Sequence, residues 1–359
     1  MSSDPDPPAR RANIVGLGLI GGSVALALRQ SGWTVSGSDR DRDRCDLAMA
    51  KGIVDVIGLD PAADLTIVAV PVTAAAAVVR EALAVTRGLV TDVGSVKGPL
   101  ARSIEDPRFV PGHPMAGSER LGLDGADPEM FRGAVWVLTP NAATEDSTFT
   151  EVAAIVGGFG AEVIALPAEQ HDVLVAMVSH VPHLTAVSLM RLADARATDH
   201  AALLRLAAGG FRDMTRIASG HPAIWPDICA ENKVAICDTL DALIGELSEV
   251  RDLVRSSEGD ELRRRLEQAR AARENVPVRA NRPETLAEVR VPIPDRPGSA
   301  AELFTLAAQL GVNIDSFEVV HSVEGPQGIA ILLIDAERSE LYRGGLLVRG
   351  YRPSIQRLQ

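Results

Sequence analysis

The stretch GLGLIGGS, residues 16–23, decides how the rest of the chain is read. The run ANIVG (12–16) has the length and composition of a short buried strand, and helical spacing begins at Leu19 and continues to about Ser31. A strand, a glycine-rich turn and a helix in that order give each glycine of GxGxxG its own task. Gly16 permits the tight turn, Gly18 lets the backbone approach a pyrophosphate, and Gly21 lets helix and strand pack closely. The first helical turn, with Leu19 and Ile20, then offers free N–H groups and the positive end of its dipole to phosphate. TVSGSD (34–39) is a second strand and ends on Asp39. A carboxylate at this distance accepts ribose hydroxyls and repels a 2′-phosphate, which favours NAD over NADP, while the adjoining Arg40 pulls the other way. Three incidental glycines are the alternative, and the strand–turn–helix context with its acidic residue speaks against it.

Outward from this unit the alternation continues. A charged helix spans about Arg40 to Lys51, DLTIVAV (64–70) is a strand, and an Ala-rich helix follows Thr73. GLVTDVG (88–94), RFVPGH (108–113), AVWVLTP (134–140) and AEVIALP (161–167) read as further strands, with a helix over roughly 145–157. Such alternation predicts βαβ units and a parallel sheet covered on both faces. Beyond Pro167 the spacing is helical to about Arg273, and 258–274 is a charged helix with a thin apolar stripe. The last segment reads as strand (LAEVRVPI), helix (AAELFTLAAQLG), two strands (VNIDSFEVVHS, GIAILLID), helix (SELYRGGLLVRG) and strand (YRPSIQRLQ), a ferredoxin-like βαββαβ order. The expected architecture is thus an α/β Rossmann-type parallel-sheet domain over 12–167, then an all-α helical substrate and dimerisation domain over 168–275. A linker over 276–285 leads to a ferredoxin-like module over 286–359, and residues 1–11 form a disordered polar tail.

A length of 359 residues suits two or three domains. With 46% hydrophobic and 23% charged residues the chain has a soluble globular balance. A net charge of −12 excludes a general nucleic-acid binder. Cys45, Cys229 and Cys237 form no CxxC pair, so neither a zinc site nor a disulfide framework is indicated. The tail MSSDPDPPARR lacks the apolar segment of a signal peptide, and the apolar run 65–79 is broken by Pro71 and too short to span a bilayer. A cytoplasmic protein with no metal, no membrane and no nucleic-acid partner is expected.

Ligands of open α/β sheets bind beyond the carboxyl ends of the strands. AVPV (69–72) falls there, with Val70 and a sharp turn at Pro71; so do TDVGSVKG (91–98), with Ser95 and Lys97, and GHPMAGSE (112–119), with His113, Ser118 and Glu119. A loop histidine is usually solvated, yet here a hydroxyl, an amine, an imidazole and a carboxylate share one crevice. In FRDMTRIA, Asp213 and Arg216 have the spacing of a surface ion pair worth only about 0.2–0.5 kcal/mol. SHVPH (179–183) holds His180 and His183 at HxxH spacing, but no third ligand is apparent and Pro182 is expected to interrupt the helix. Trp225 is either a wall of the crevice or plain core. His171, His200, His221 and His321 carry no functional argument.

GLGLIGGS, DVGSVKG, GHPMAGSE, SHVPH and FRDMTRIASGHPAIWPDI, in this order, resemble the prephenate/arogenate dehydrogenase family over about residues 12–275. PDRPGSAAELF resembles the first turn and helix of an ACT domain, a ferredoxin-like module that binds amino acids. The resemblance implies oxidative decarboxylation of prephenate to 4-hydroxyphenylpyruvate with NAD as hydride acceptor. It implies that His113 is the base and that Ser95 helps orient the imidazole and the nicotinamide. Arg216 would bind a substrate carboxylate through its bidentate fork. His183 would position the substrate with His180 beside it, Trp225 would line the site, and Glu119 and Asp213 would pair with Arg216 at its mouth. For the ACT segment it implies that Asp295, Pro297 and Gly298 hold an aromatic amino acid, tyrosine, between two copies of a homodimer. Three alternatives stay open. Arogenate is a second substrate. A β-hydroxyacid dehydrogenase would use a catalytic lysine, and Lys233, the only lysine of the helical segment, lacks a matching motif. A non-catalytic sensor of NAD and an amino acid would have no use for Ser95, His113, His183 and Arg216 together.

Overall fold

The computed structural model describes residues 9–118, 120, 122–197, 203–275, 286–294, 296, 298–321 and 327–357. Glu119, Asp295, Pro297, His200, most of the expected tail and the linker over 276–285 lie outside the described residues. The chain forms two compact units, Met1–Leu266 and Glu267–Gln359.

The first unit begins with β1 (Arg11–Val15), α1 (Leu19–Gln30), β2 (Thr34–Ser38), α2 (Arg42–Ala50) and a two-residue β3 (Val56–Ile57). It continues with β4 (Leu65–Val68), α3 (Val72–Val85), β5 (Leu89–Asp92), α4 (Gly98–Ser103) and β6 (Phe109–Val110). These strands make one parallel sheet in the order β3-β2-β1-β4-β5-β6. The order reverses between β1 and β4, so a crevice opens beyond their carboxyl ends. Val24 and Leu28 of α1 are buried, and Ile14, Val35 and Ile67 fill the sheet. Apolar side chains on both faces of these strands are what a sheet covered on both sides requires.

The expected single sheet is not what forms. RFVPGH breaks at Pro111, which has no N–H to give a ladder. Phe109 and Val110 stay with β5, while β7 (Gly112–Pro114) starts a second sheet of three strands with β8 (Val135–Leu138) and β9 (Glu162–Ala165). β7 and β8 run antiparallel, with His113 opposite Val137, and β8 and β9 run parallel. Phe131, Trp136 and Phe159 pack together beside them, and α5 (Asp146–Gly158) lies between β8 and β9 in sequence.

The helical part follows as α6 (Ala168–Val175), one π-type turn (Ala176–His180), α7 (Val181–Ala197), α8 (Gly209–Thr215), α9 (Trp225–Glu231) and α10 (Lys233–Ser256). Pro182 does not interrupt the helix, contrary to expectation. It sits in the first turn of α7, directly after the widened π-type turn, where the i→i−4 ladder is already broken. By length and composition the run Ala168–Ala197 would suffice to cross a membrane, but one side of it is buried around four polar site residues. Its other side exposes Val173, Leu174, Met177 and Val178. α11 (Gly259–Glu274) buries no residue, as its thin apolar stripe suggests.

The second unit holds β10 (Leu286–Pro294), α12 (Ser299–Leu310), β11 (Ile314–His321), β12 (Gln327–Asp335), α13 (Ser339–Val348) and β13 (Ser354–Arg357). Its antiparallel sheet has the order β11-β12-β10-β13. Alternate residues of β10, Val289, Val291 and Ile293, pack with Leu303 of α12 and Leu346 of α13. The buried Tyr342 hydroxyl donates to the Leu303 carbonyl at 2.9 Å.

Candidate active site

The glycine turn has the geometry its spacing predicts. Gly16 has φ +100°, and a Cβ there would stand 2.3 Å from the Ala69 carbonyl oxygen at the end of β4. A Cβ on Gly21 would stand 2.0 Å from the Gly16 carbonyl oxygen. Gly18, the N-cap of α1, has nothing within 4 Å of that position, and no side chain caps the helix. An uncapped first turn over open space is a natural seat for a phosphate. Leu19 and Ile20 begin the helix, Val70 lies against Gly16, and Pro71 is the N-cap of α3.

The Asp39 carboxylate closes one side of this cradle. It accepts from the Leu17 amide at 2.8 Å and from the Asp41 amide at 2.9 Å, and its side chain is only 7% exposed. These bonds fix the carboxylate while each oxygen keeps a second lone pair. Arg40 is exposed; Arg44 is the arginine near Asp39, at 3.9 Å.

The second part of the site is assembled from distant segments. His113, on β7, is buried, and its Nδ1 lies 2.9 Å from Nε2 of the wholly buried His171 on α6. The two rings meet edge to face with centroids 5.1 Å apart. His171 Nδ1 in turn lies 2.8 Å from Oδ1 of Asp172. Asp172 also accepts from the Lys97 and Gly98 amides, both at 2.8 Å, and so caps α4. The Lys97 side chain is itself fully buried: its ammonium pairs with Asp92 and donates to the Gly112 carbonyl at 2.8 Å. Asp92 accepts from the Gly94 and Gly112 amides as well, which ties β5 to the strand carrying His113. Thus His171, which the sequence reading left without a role, holds the imidazole that Ser95 was expected to orient. Ser95 is partly buried and makes no hydrogen bond among the described residues.

His180 and His183 leave the π-type turn towards different neighbours. His180 Nδ1 meets the Asn232 side-chain amide at 3.2 Å, and the same amide donates to the Asp172 carbonyl at 2.8 Å. His183 stacks on Trp225 with centroids 3.6 Å apart and planes 9° from parallel. Trp225 therefore belongs to the histidine cluster, also meeting His180 edge-on at 6.2 Å. Arg216 begins the short turn Arg216–Ser219, one residue before Ile217, and is exposed; Asp213 is exposed on α8. Thr73 of α3 and Asp227 of α9 share a hydrogen bond of 3.1 Å between the sheet and the helices.

The electrostatics follow from burial. Loss of solvent first, then His171, Lys97 and His180, hold His113 well below the usual histidine range. Burial pushes His180 down to about 4, against the pull of Asp172, and lowers His183, against the Ile217 carbonyl. Burial also lowers the Lys97 ammonium, with Asp92 and Asp172 opposing. At neutral pH His113, His180 and His183 are therefore uncharged imidazoles able to accept a proton. Asp92, Asp172 and Asn232 escaped the sequence reading. The adjacent His–Asp pair at 171–172, just after a strand end, is the signal that marks the cluster.

Two family models match the first unit: "Prephenate dehydrogenase, nucleotide-binding domain" over residues 24–165 and "Prephenate dehydrogenase, dimerization domain" over 167–268. A prephenate dehydrogenase of Bacillus subtilis is 32% identical over 334 residues, covering 88% of this chain and 90% of its own. The crystal structure of prephenate dehydrogenase from Aquifex aeolicus with hydroxyphenyl propionate and NAD+ has a TM-score of 0.71 and 29% identity, over 76% of this chain and 100% of that one. Synechocystis arogenate dehydrogenase has a TM-score of 0.64 and 29% identity, over 74% and 99%.

Proposed function

The chain belongs to the prephenate dehydrogenase family, and we propose that it oxidatively decarboxylates prephenate to 4-hydroxyphenylpyruvate with His113 as the base. The observation that carries this reading is a buried, neutral imidazole at a strand end beside the dinucleotide cradle. NAD fits the cradle: Gly18 leaves space for a pyrophosphate, the first turn of α1 is uncapped, and Asp39 is fixed where a ribose would lie. When bound, the nicotinamide accepts the hydride. His113 Nε2 takes the hydroxyl proton as the carbinol carbon is oxidised. The ring carboxylate leaves as carbon dioxide and its bonding pair stays in the ring, which becomes aromatic. The phenol oxygen regains the proton from His113, so the reaction needs no other acid.

Arg216 holds a substrate carboxylate, with Asp213 at the mouth; His183, with His180 beside it and Trp225 stacked on it, sets one wall. Ser95, in the turn between β5 and α4 and without a hydrogen bond among the described residues, helps orient the imidazole and the nicotinamide. Arogenate, which has an ammonium where prephenate has a keto oxygen, is the competing substrate. Steady-state assays with both substrates and both cofactors test the reading, together with His113→Asn. Turnover is expected to fall roughly 100-fold or more, with NAD binding nearly unchanged. Near-normal turnover in that variant removes His113 from the mechanism.

The enzyme acts as a cytoplasmic homodimer. The apolar face of Val173, Leu174, Met177 and Val178 supports this, lying within the segment matched by the dimerization-domain model. The second unit is an ACT module that binds tyrosine between two copies. Its βαββαβ order and antiparallel sheet support this, as does Gly298, at φ +94° before α12, where the start of a helix offers amides to a carboxylate. Assays of the full chain and of a truncation after Val276, with tyrosine and phenylalanine, test it. Equal inhibition of both forms would mean simple competition at the catalytic site.

A further inference from the structure

We propose that His171 is a positioning residue that keeps the proton of His113 on Nδ1 and so leaves Nε2 bare towards the crevice. The inference rests on the reading of His113 as the base and follows from the direction of one hydrogen-bond chain. Each oxygen of Asp172 faces a main-chain N–H, from Lys97 or Gly98, and a main-chain N–H only donates. Asp172 is therefore the acceptor towards His171, and the proton of that bond sits on His171 Nδ1. With His171 neutral, one ring nitrogen carries the N–H and the other is bare, so Nε2 accepts. His113 Nδ1, 2.9 Å away, must then donate, which leaves its Nε2 as the lone pair.

Two fixed backbone amides at the start of α4 thus select the tautomer of an imidazole two steps away. The groups facing His113 are His171 with Asp172 behind it on α6, Lys97 with its partner Asp92, and His180 from the π-type turn. When His113 accepts the substrate proton, its bond to His171 becomes charge-assisted and strengthens.

Two measurements test this. In the full-length protein labelled with 15N-histidine, the ring nitrogen shifts of His113 should be those of the Nδ1–H tautomer; an Nε2–H tautomer overturns the proposal. The second compares two variants. Asn at 171 keeps a donor for Asp172 but removes the acceptor for His113, whereas Gln extends an amide oxygen to the place of Nε2. His171→Asn is expected to lower kcat about 10- to 100-fold with little change in KM or NAD affinity. It should also move the acid limb of kcat/KM, because the bond that strengthens on protonation of His113 and the electrostatic influence of the His171 ring are both gone. His171→Gln should regain part of the turnover. Wild-type kcat and an unmoved acid limb in His171→Asn overturn the proposal. If His113→Asn stays active, the base assignment itself fails; if His113→Asn is inactive and His171→Asn normal, only the positioning role fails.

Discussion

The cofactor cradle and the histidine cluster lie at the same sheet edge but are built in opposite ways. The cradle comes from one stretch, residues 16–39, and works through main-chain groups, empty space and a single carboxylate. The cluster draws on residues 92, 97, 113, 171, 172, 180, 183 and 232 and works through buried side chains that pair with one another. The cradle should therefore fail for steric and local reasons, the cluster for electrostatic and distant ones.

The largest effect expected is on stability, from Lys97→Met. It leaves Asp92 buried without its cation, and breaking a buried pair by removing one partner costs about 3–5 kcal/mol. The melting temperature should fall by roughly 10 °C. A fall of only a degree or two would mean that the two amide donors on Asp92 suffice, and the cluster would be no more charge-sensitive than the cradle.

A smaller, steric effect separates two glycines three residues apart. In Gly21→Ala the new methyl meets the Gly16 carbonyl, and overpacking of this kind costs about 1–3 kcal/mol, so both stability and NAD affinity should drop. Gly18→Ala has room for its methyl in the free protein, so it should melt like the parent and lose NAD affinity alone. If the two variants behave alike, the cradle is not divided into a packing glycine and a contact glycine.

The smallest effect belongs to Asp39→Ser. Removing the charge that repels a 2′-phosphate should move the NADP to NAD preference by about tenfold, read as the ratio of the two kcat/KM values. A variant that keeps its full preference for NAD would show that Asp39 serves only as acceptor for the Leu17 and Asp41 amides.

The sequence by itself determined the strand–turn–helix of residues 12–31, the packing demands at Gly16 and Gly21, the helical segment after Pro167 and the βαββαβ order of the last unit. These depend on local periodicity and on where a Cβ fits, and neighbouring residues carry both kinds of information. It also marked His113, through the resemblance of GHPMAGSE to the family's motif. Tertiary structure alone decided the rest. The break at Pro111 sends His113 into a second, antiparallel sheet, since pairing partners are chosen among distant strands. The π-type turn shifts His180 and His183 off the spacing of a regular helix, so no 3.6-residue pattern places them relative to His171. The chain from Asp172 through His171 to His113 joins residues 58 positions apart. What gives it direction is two backbone amides of Lys97 and Gly98, and main-chain hydrogen bonds leave no trace in residue identity.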